Sequence, residues 1–280
     1  MEKIVVSNEE NFEKLKQRIK EQGTDNILIV ADFNKTLTHA FVDGKKVSTS
    51  FASIRDNNYL GEEYINKAKK YFEKYHPIEV SRDISFEEKD KAMQEWWRKH
   101  FEILIEYGIT NKVFLEIIEK GKVKLRKGVK DFFKWCKEKN MPFVIISSGL
   151  GDFIPEMLKK EEIFFDNVYI YANMFRFDSE GNAIGIGERI IHTANKKITN
   201  VGKIEFYSEV KDKKNLVLLG DDLTDLRMSE SFDYDNIIKI GFLNEKVDID
   251  LSLYKENFDI LILNDGDFQP VSDLIKDISK

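Results

Sequence analysis

Cysteine and proline are scarce in this chain, which has one cysteine and four prolines in 280 residues. A single cysteine cannot close an internal disulfide, and no group of cysteines and histidines has the spacing of a zinc site. The one thiol, Cys136, lies in the run Asp131-Phe132-Phe133-Lys134-Trp135-Cys136, which is typical of a helix. We therefore predict that Cys136 is a small buried apolar residue rather than a catalytic thiol.

Long hydrophobic runs and an excess of basic residues are also missing. No apolar run approaches the ~20 residues of a membrane span, and the N-terminus lacks the apolar segment of a signal peptide. These absences predict a cytoplasmic protein that does not bind membranes. The formal net charge is -6, whereas a protein that binds polymeric DNA or RNA usually has a basic face. A small anionic ligand needs only a local group of cations and N–H groups.

The sequence does contain a series of short, continuously apolar runs. Such runs are typical of strands that are buried on both faces. Amphipathic stretches of helix length separate most of them, and this alternation predicts an α/β fold whose mostly parallel sheet is covered by helices on both faces. Before the first run, Ser7 and Glu10 have the spacing of a capping box and predict the start of a helix. The predicted strands are 26–31, 143–146, 168–171, 216–219, 237–240 and 260–263.

The region after the first predicted strand is organised differently. Residues 43–125 contain long helix-like segments, such as 86–107, and no convincing buried strand. We predict that this region is an inserted helical subdomain. The α/β core would then consist of residues 1–42 and 126–280.

Polar residues follow several of the predicted strands. The carboxyl ends of parallel strands line one crevice, so residues that are far apart in sequence converge there. Carboxylates suit Mg2+, whereas a hydroxyl, turn N–H groups and an ammonium suit phosphoryl oxygens. Each piece alone has a simpler interpretation as a helix cap or a solvated side chain, but their order and placement favour a phosphoryl-transfer site. The segments are Asp32-Phe33-Asn34-Lys35-Thr36, Ser147-Ser148-Gly149, Asn195-Lys196-Lys197 and Gly220-Asp221-Asp222-Leu223-Thr224-Asp225.

These segments resemble, in order, the four motifs of the haloacid dehalogenase-type phosphatases, beginning with DxDxT at Asp32. The resemblance narrows to the cytosolic 5'-nucleotidase III group, the pyrimidine and 7-methylguanosine monophosphate nucleotidases, and it runs over about residues 28–265. It implies a haloacid dehalogenase-like Rossmannoid sheet with an inserted helical cap. The supporting stretches are Tyr75-His76-Pro77-Ile78-Glu79-Val80, Glu95-Trp96-Trp97, Ile191-His192-Thr193-Ala194-Asn195-Lys196, Leu226-Arg227-Met228 and Lys239-Ile240-Gly241-Phe242-Leu243-Asn244.

The resemblance also implies a mechanism with Mg2+ as the cofactor. Asp32 would attack phosphorus and form an aspartyl-phosphate. The metal would be bound by Asp32, Asp221 and the backbone carbonyl of Asn34. The remaining motif residues would bind the phosphoryl group or orient its ligands. Those expected to bind substrate are Thr36, Ser147, Ser148, Gly149 and Lys196, and those expected to orient the lysine or metal-bound water are Asp222 and Asp225.

One position departs from the family pattern. The second aspartate of the motif, which protonates the leaving 5'-oxygen and then activates water, falls on Asn34. An amide cannot donate and recover a proton, and loss of a general acid/base costs on the order of 100- to 10,000-fold in rate. Three explanations stay open: an engineered substitution that traps substrate, a natural weakening, or a proton from another group such as Asp225 or His39.

The predicted cap carries candidates for recognition of the nucleobase. By resemblance, Glu79 contacts the base and could accept hydrogen bonds from an exocyclic amine and a ring N–H. Phe51 and Trp97 could clamp a flat base such as 7-methylguanine, although an ordinary hydrophobic contact is the simpler interpretation of both. Of the adjacent Trp96 and Trp97, one is expected to pack inside the cap and the other to face the cleft.

Alternative functions fit the residues less well. A nucleotide-binding pseudoenzyme would keep the fold and the metal but lose turnover, and a related phosphatase would act on another small phosphate ester. A receiver-type signalling domain also joins Asp, Ser/Thr and Lys around Mg2+, but it is much shorter and has an acidic pair after its first strand. The expectation is therefore a 5'-nucleotidase acting on CMP, UMP or 7-methyl-GMP, as a monomer.

Overall fold

The computed structural model describes residues 4–81, 83–187, 190–198 and 201–280. Its centre is a seven-stranded sheet, and the six predicted apolar runs are all confirmed as strands in it. The strands are β1 (Ile4–Val6), β2 (Ile27–Ala31), β5 (Phe143–Leu150), β6 (Val168–Asn173), β9 (Asn215–Gly220), β10 (Asn236–Leu243) and β11 (Ile260–Leu263).

The order of the strands is β1-β11-β10-β9-β2-β5-β6. All neighbours pair in parallel except β1, an edge strand that lies antiparallel to β11 and was not predicted from the sequence. The chain continues from β2 to β5 on one side and later returns to β9 on the other. The carboxyl end of β2 is therefore flanked by strands from two distant parts of the chain, the arrangement that forms a ligand crevice in α/β sheets.

Helices cover both faces of the sheet, as predicted. Along β2, Ile27, Ile29 and Ala31 belong to one buried apolar cluster, whereas Leu28 and Val30 belong to another. Because successive side chains of a strand point to opposite faces, each face has its own apolar layer. The helices of the core are α1 (Glu9–Gln22), α6 (Val129–Glu138), α7 (Phe153–Lys160), α8 (Tyr207–Val210), α9 (Val247–Asn257) and α10 (Gln269–Ile278).

Two local predictions about the core have different outcomes. Cys136 is buried in α6, as expected. The predicted Ser7 capping box is wrong by one residue, because Asn8 is the N-cap of α1 and its side chain accepts a hydrogen bond from the Asn11 N–H. Ser7 instead donates its hydroxyl to the carbonyl of Phe258, 2.6 Å away, and so attaches the start of the chain to the sheet.

Four helices occupy the region that was predicted to be an inserted subdomain. The predicted 86–107 segment is confirmed as a helix ending one residue earlier. A short hairpin precedes the helices, and Thr38 and Leu125 form a bridge where the region begins and ends. The boundaries at 43 and 125 stay a prediction. The elements are β3 (Phe41–Val42), β4 (Lys45–Lys46), α2 (Ser50–Asp56), α3 (Gly61–Val80), α4 (Phe86–Glu106) and α5 (Asn111–Glu119).

A second hairpin, β7 (Phe175–Phe177) with β8 (Ala183–Ile186), was not predicted from the sequence. Phe175 packs against Phe101 of α4 and Phe114 of α5, with ring centroids 5.4 and 6.2 Å apart. The hairpin therefore connects the core sheet to the inserted helices and helps to fix their position over the strand ends. None of the helices in the described ranges is both long and apolar enough to cross a membrane.

Candidate active site

The site is built first on two adjacent strand ends. Ala31 of β2 pairs with Leu219 of β9, and the next residue, Asp32, donates its N–H to the Leu219 carbonyl at 3.0 Å. Asp221 follows the end of β9. One carboxylate oxygen from each of Asp32, Asp221 and Asp225 lies within 4.8 Å of the others, which is a spacing that one metal ion can bridge.

Lys196 reaches this carboxylate group from a loop. The prediction that it follows a buried strand is wrong, because residues Thr193–Asn195 form a 3-10 turn. The Lys196 ammonium forms ion pairs with Asp32 and, at 2.6 Å, with Asp225. Burial alone would lower the pKa of Lys196, but the charges of Asp225 and Asp32 outweigh it and raise the pKa above its ordinary value. Lys196 is therefore a permanent cation beside Asp32.

Asp225 organises the turn that carries Asp221. Its Oδ2 accepts the N–H groups of Asp221 and Asp222 at 2.9 and 3.0 Å, while Oδ1 faces Lys196. Burial raises the pKa of Asp225 to about 6 against the opposing charge of Lys196. Gly220 allows this approach, because a Cβ there would lie 2.5 Å from the Asp225 Cβ. Asp222 is exposed and caps the next turn through Thr224.

The electrostatics of the group favour a bound cation. Burial raises the pKa of Asp221, and the nearby negative charges of Asp225 and Asp32 raise it further. Three carboxylates therefore share the site with the ammonium of Lys196. Oxygen ligands of this kind suit Mg2+, which usually takes one or two protein carboxylates and completes its shell with water and phosphate.

The third part of the site is the end of β5. The strand continues to Leu150, with a register irregularity between Ser147 and Leu150. Ser147 is 1% exposed, and its hydroxyl accepts the Gly149 N–H at 3.3 Å. A Cβ at Gly149 would lie 3.3 Å from the Asn34 amide nitrogen and 3.4 Å from the Ser50 hydroxyl. Asn34 therefore lies beside this turn, and Ser50 is an addition that the sequence did not indicate.

A cavity of about 910 Å³ joins these groups to the inserted helices. Among the described residues, neither Thr36 nor Ser147 lines it. Thr36 is fully buried, and its hydroxyl has no hydrogen-bond partner within the described ranges. The positions of Thr36 and Ser147 therefore do not support direct contact of their hydroxyls with a substrate in this cavity. The predicted site residues that do line the cavity are Asp32, Asn34, Phe51, Glu79, Trp97, Ser148, Gly149, Lys196, Asp221, Asp222 and Asp225.

The aromatic residues of the cavity differ from the expected clamp. The rings of Phe51 and Trp97 are 6.4 Å apart and inclined at 82°, so they do not present the parallel faces that would sandwich a base. Trp97 donates its indole N–H to the Ser148 carbonyl at 2.8 Å. Trp96 is buried and stacks on Tyr75 at 5.8 Å, but it lines the cavity as Trp97 does.

Polar groups from the inserted helices also reach the cavity. Glu79 accepts a hydrogen bond from the Thr193 hydroxyl at 3.2 Å, and its other oxygen lies 3.2 Å from His76 Nδ1. Burial, aided by the charge of Arg55, lowers the pKa of His100 to about 3, so its imidazole is neutral at physiological pH. The Tyr64 hydroxyl lies 3.1 Å from His100 Nε2.

Neither alternative proton source suggested for Asn34 is placed for that role. His39 Nδ1 lies 3.1 Å from Asp265, and among the described residues His39 does not line the cavity. Asp225 is already engaged by Lys196 and two backbone N–H groups. Their contacts therefore do not favour His39 or Asp225 as the general acid/base in place of residue 34.

The strand order, the carboxylate group with its lysine and the inserted helices together define a phosphatase of the haloacid dehalogenase type. A phospho-aspartyl intermediate analogue of phosphoserine phosphatase has the same fold, with a TM-score of 0.51, 16% identity, and coverage of 88% of this chain and 97% of that one.

Residues 35–279 match the family model of the pyrimidine 5'-nucleotidases (UMPH-1), and the chain belongs to this family of phosphoric monoester hydrolases. It is 31% identical to 7-methylguanosine phosphate-specific 5'-nucleotidase A of Xenopus laevis, over 92% of this chain and 90% of that protein. Identity to the Homo sapiens 7-methylguanosine phosphate-specific 5'-nucleotidase is 29%, over 93% and 87%. A crystal structure of cytosolic 5'-nucleotidase IIIB bound to cytidine has a TM-score of 0.83 and 25% identity, and covers 99% of this chain and 94% of that one.

Proposed function

We propose that this protein is a Mg2+-dependent 5'-nucleotidase that hydrolyses CMP, UMP or 7-methyl-GMP. The observation that carries the proposal is the grouping of Asp32, Asp221 and Asp225 with Lys196 in a cavity that the inserted helices also line. The substrate class is supported by relatives named for 7-methylguanosine phosphate and by the neighbour bound to cytidine. That neighbour is a cytosolic enzyme, which supports a cytoplasmic location.

The donor set suits a divalent cation. Asp32, Asp221 and the backbone carbonyl of Asn34 would hold Mg2+, and Asp225 would keep both Lys196 and the Asp221 turn in place. When bound, the ion would neutralise charge between the nucleophile and the phosphate.

Asp32 is the proposed nucleophile. Its carboxylate oxygen bonds to phosphorus as the bond to the 5'-oxygen breaks, and water later releases phosphate from the aspartyl-phosphate. Lys196 lies against Asp32, where its charge would stabilise the phosphoryl oxygens together with the N–H group of Ser148. Ser147 accepts the Gly149 N–H and so would hold this turn rather than contact the substrate.

The proposed weak step is proton transfer at Asn34. We expect Asn34→Asp to raise kcat by about 100- to 10,000-fold, because a carboxyl group can protonate the leaving 5'-oxygen and then activate water. The KM should change little, since the backbone carbonyl at this position is retained. The measurement is the release of phosphate from CMP, UMP and 7-methyl-GMP by the parent chain and by the variant, with and without Mg2+.

The double variant Asp32→Asn/Asn34→Asp is the control, because it restores the acid/base and removes the nucleophile. It should release no phosphate above background. An Asn34→Asp variant no faster than the parent would show that the acid/base role assigned to this position is wrong.

A second candidate is a nucleotide-binding protein without turnover, which the amide of Asn34 specifically favours. Calorimetric binding of the same nucleotides to the parent chain, measured beside the assay, separates the two functions. Binding without phosphate release in the parent would favour the second candidate, whereas measurable Mg2+-dependent release would favour the enzyme.

A further inference from the structure

A buried arginine outside the cavity holds the loop that follows the nucleophile. The Arg126 side chain is 0% exposed. Its Nε donates to the Thr36 carbonyl at 2.9 Å, and its Nη2 donates to the Lys35 carbonyl. The planar guanidinium therefore donates hydrogen bonds to the carbonyls of two consecutive residues directly after Asn34. A lysine ammonium has no such planar fork of donors.

Two further side chains complete this arrangement, which we call the Arg126 clamp (Arg126, Asn244 and Asp265). Arg126 Nη2 donates to Asn244 Oδ1 at 2.7 Å, and Asn244 Nδ2 donates to the Lys35 carbonyl at 3.1 Å. Arg126 Nη1 lies 2.9 Å from Asp265 Oδ1. The clamp therefore connects the loop after β2 to residues that follow β10 and β11.

Asp265 extends the clamp towards the inserted helices. Its carboxylate accepts the N–H groups of Ala40 and Phe41 at 2.7 and 3.1 Å, besides its contact with His39. The segment from the nucleophile loop to Phe41, just before the predicted insertion, is thus held at both ends by one ion pair, in which Arg126 is buried and Asp265 is partly exposed.

The conformation of the loop explains why it needs such support. Lys35 has a φ of +58°, in the left-handed region that side chains other than glycine rarely adopt. Conformations of this kind persist where surrounding contacts over-determine them. A buried ion pair is a weak source of net stability, because desolvation offsets much of the attraction. The contacts of Arg126 instead hold a strained loop in one conformation.

We propose that Arg126 is a positioning residue that, through the clamp, holds the Asn34–Thr36 loop in the conformation needed for metal binding beside Asp32. This inference rests on the proposed function, since it assigns the loop carbonyl of Asn34 to the metal. Residues that support metal ligands typically contribute about 10- to 100-fold to metal affinity.

The test compares Mg2+ binding by isothermal titration calorimetry in the parent chain and three variants. Arg126→Lys keeps the charge but loses the planar fork, and Asn244→Ala removes two bonds of the clamp. Asn236→Ala is the matched control, because Asn236 lies at the other end of β10 and donates to Asn215 Oδ1 at 2.9 Å. We expect Arg126→Lys and Asn244→Ala to weaken Mg2+ binding by about 10- to 100-fold, and Asn236→Ala to bind as the parent does.

Hydrogen exchange of the peptide covering 33–41, measured without metal, provides a second readout. Exchange should be faster in Asn244→Ala than in the parent, and unchanged in Asn236→Ala. If Arg126→Lys does not fold, Asn244→Ala carries the test alone. Equal Mg2+ affinity and equal exchange in Asn244→Ala and the parent would overturn the clamp and leave the proposed function standing. A parent chain that binds no Mg2+ would overturn both.

Discussion

At the scale of single residues, the surroundings of the cavity shift the pKa values of several of its groups. Lys196 stays protonated between two carboxylates, His100 stays neutral, and Asp221 and Asp225 have raised pKa values. Such divergent shifts within one cavity are typical of functional sites. Glu79 is the remaining carboxylate through which the inserted helices could recognise a base.

We expect Glu79→Gln to raise the KM for CMP or 7-methyl-GMP by about 10- to 100-fold, because a hydrogen bond to a charged group contributes about 1.5 to 3 kcal/mol. The assay is steady-state kinetics in the Asn34→Asp background. Glu73→Gln is the control, an exposed change on the same helix. A similar rise in KM for p-nitrophenyl phosphate, which has no base, would contradict a role for Glu79 in base recognition.

At the scale of elements, the turn from β5 into α7 connects Ser148 and Gly149 to the β7–β8 hairpin. Asp152, the residue before α7, accepts the Phe175 N–H at 2.9 Å. Burial raises its pKa to about 6, although the N–H groups of Phe175 and of Asp152 itself oppose the shift. This carboxyl group therefore ties the end of one strand to the hairpin while carrying a desolvation cost.

The raised pKa predicts a pH dependence of stability. Between pH 4 and 6, roughly, the folded chain binds more protons at Asp152 than the unfolded chain does, so this group lowers the free energy of unfolding as pH rises. Asp152→Asn removes this contribution and keeps an acceptor for the Phe175 N–H.

Urea denaturation of the parent and of Asp152→Asn across this range measures the effect. Other carboxylates contribute equally to both proteins. The variant should gain stability relative to the parent as pH increases from 4 to 6, with no further gain above about pH 7. Parallel curves would show that the Asp152 carboxyl titrates normally.

At the scale of the whole molecule, the inserted helices pack on the core through a shared apolar cluster, and further contacts join them to the segments around the cavity. Trp97 donates to the Ser148 carbonyl, Thr193 donates to Glu79, and Arg227 lies over the Phe86 ring at 4.3 Å. The Trp97 and Glu79 contacts lie at the cavity, where local opening of the helices would admit water to a bound phosphoryl group.

We expect Trp97→Phe to loosen this attachment, because a smaller aromatic ring is kept while the donor to the Ser148 carbonyl is lost. Hydrogen exchange of the ligand-free protein should become faster in α4 and in residues 147–151, and KM should rise by about 2- to 10-fold, the equivalent of one hydrogen bond. Trp96→Phe is the control, since the Trp96 indole N–H is buried and has no hydrogen-bond partner in the part of the chain that the structure describes. Identical exchange in the two variants would argue against the Trp97 contact as an anchor.

Much of the fold and part of the site could be predicted from the sequence. The strand runs, the helices of 43–125 and the aspartates after β2 and β9 all leave local signals, because burial and periodicity act on neighbouring residues. Lys196 was predicted by resemblance but placed after the wrong kind of element. The β7–β8 hairpin was missed, since its aromatic residues are ordered by contacts with α4 and α5 rather than by a local pattern.

The sequence by itself determined the order of the elements and the chemical groups of the site. Only the tertiary structure decided which hydroxyls reach the cavity, how Phe51 and Trp97 are inclined, and that Arg126 holds the loop after Asp32. These features depend on contacts between residues separated by tens to hundreds of positions, as between Arg126 and Gly266. Such contacts arise only when the sheet order brings distant strand ends together, and no local pattern of residues encodes them.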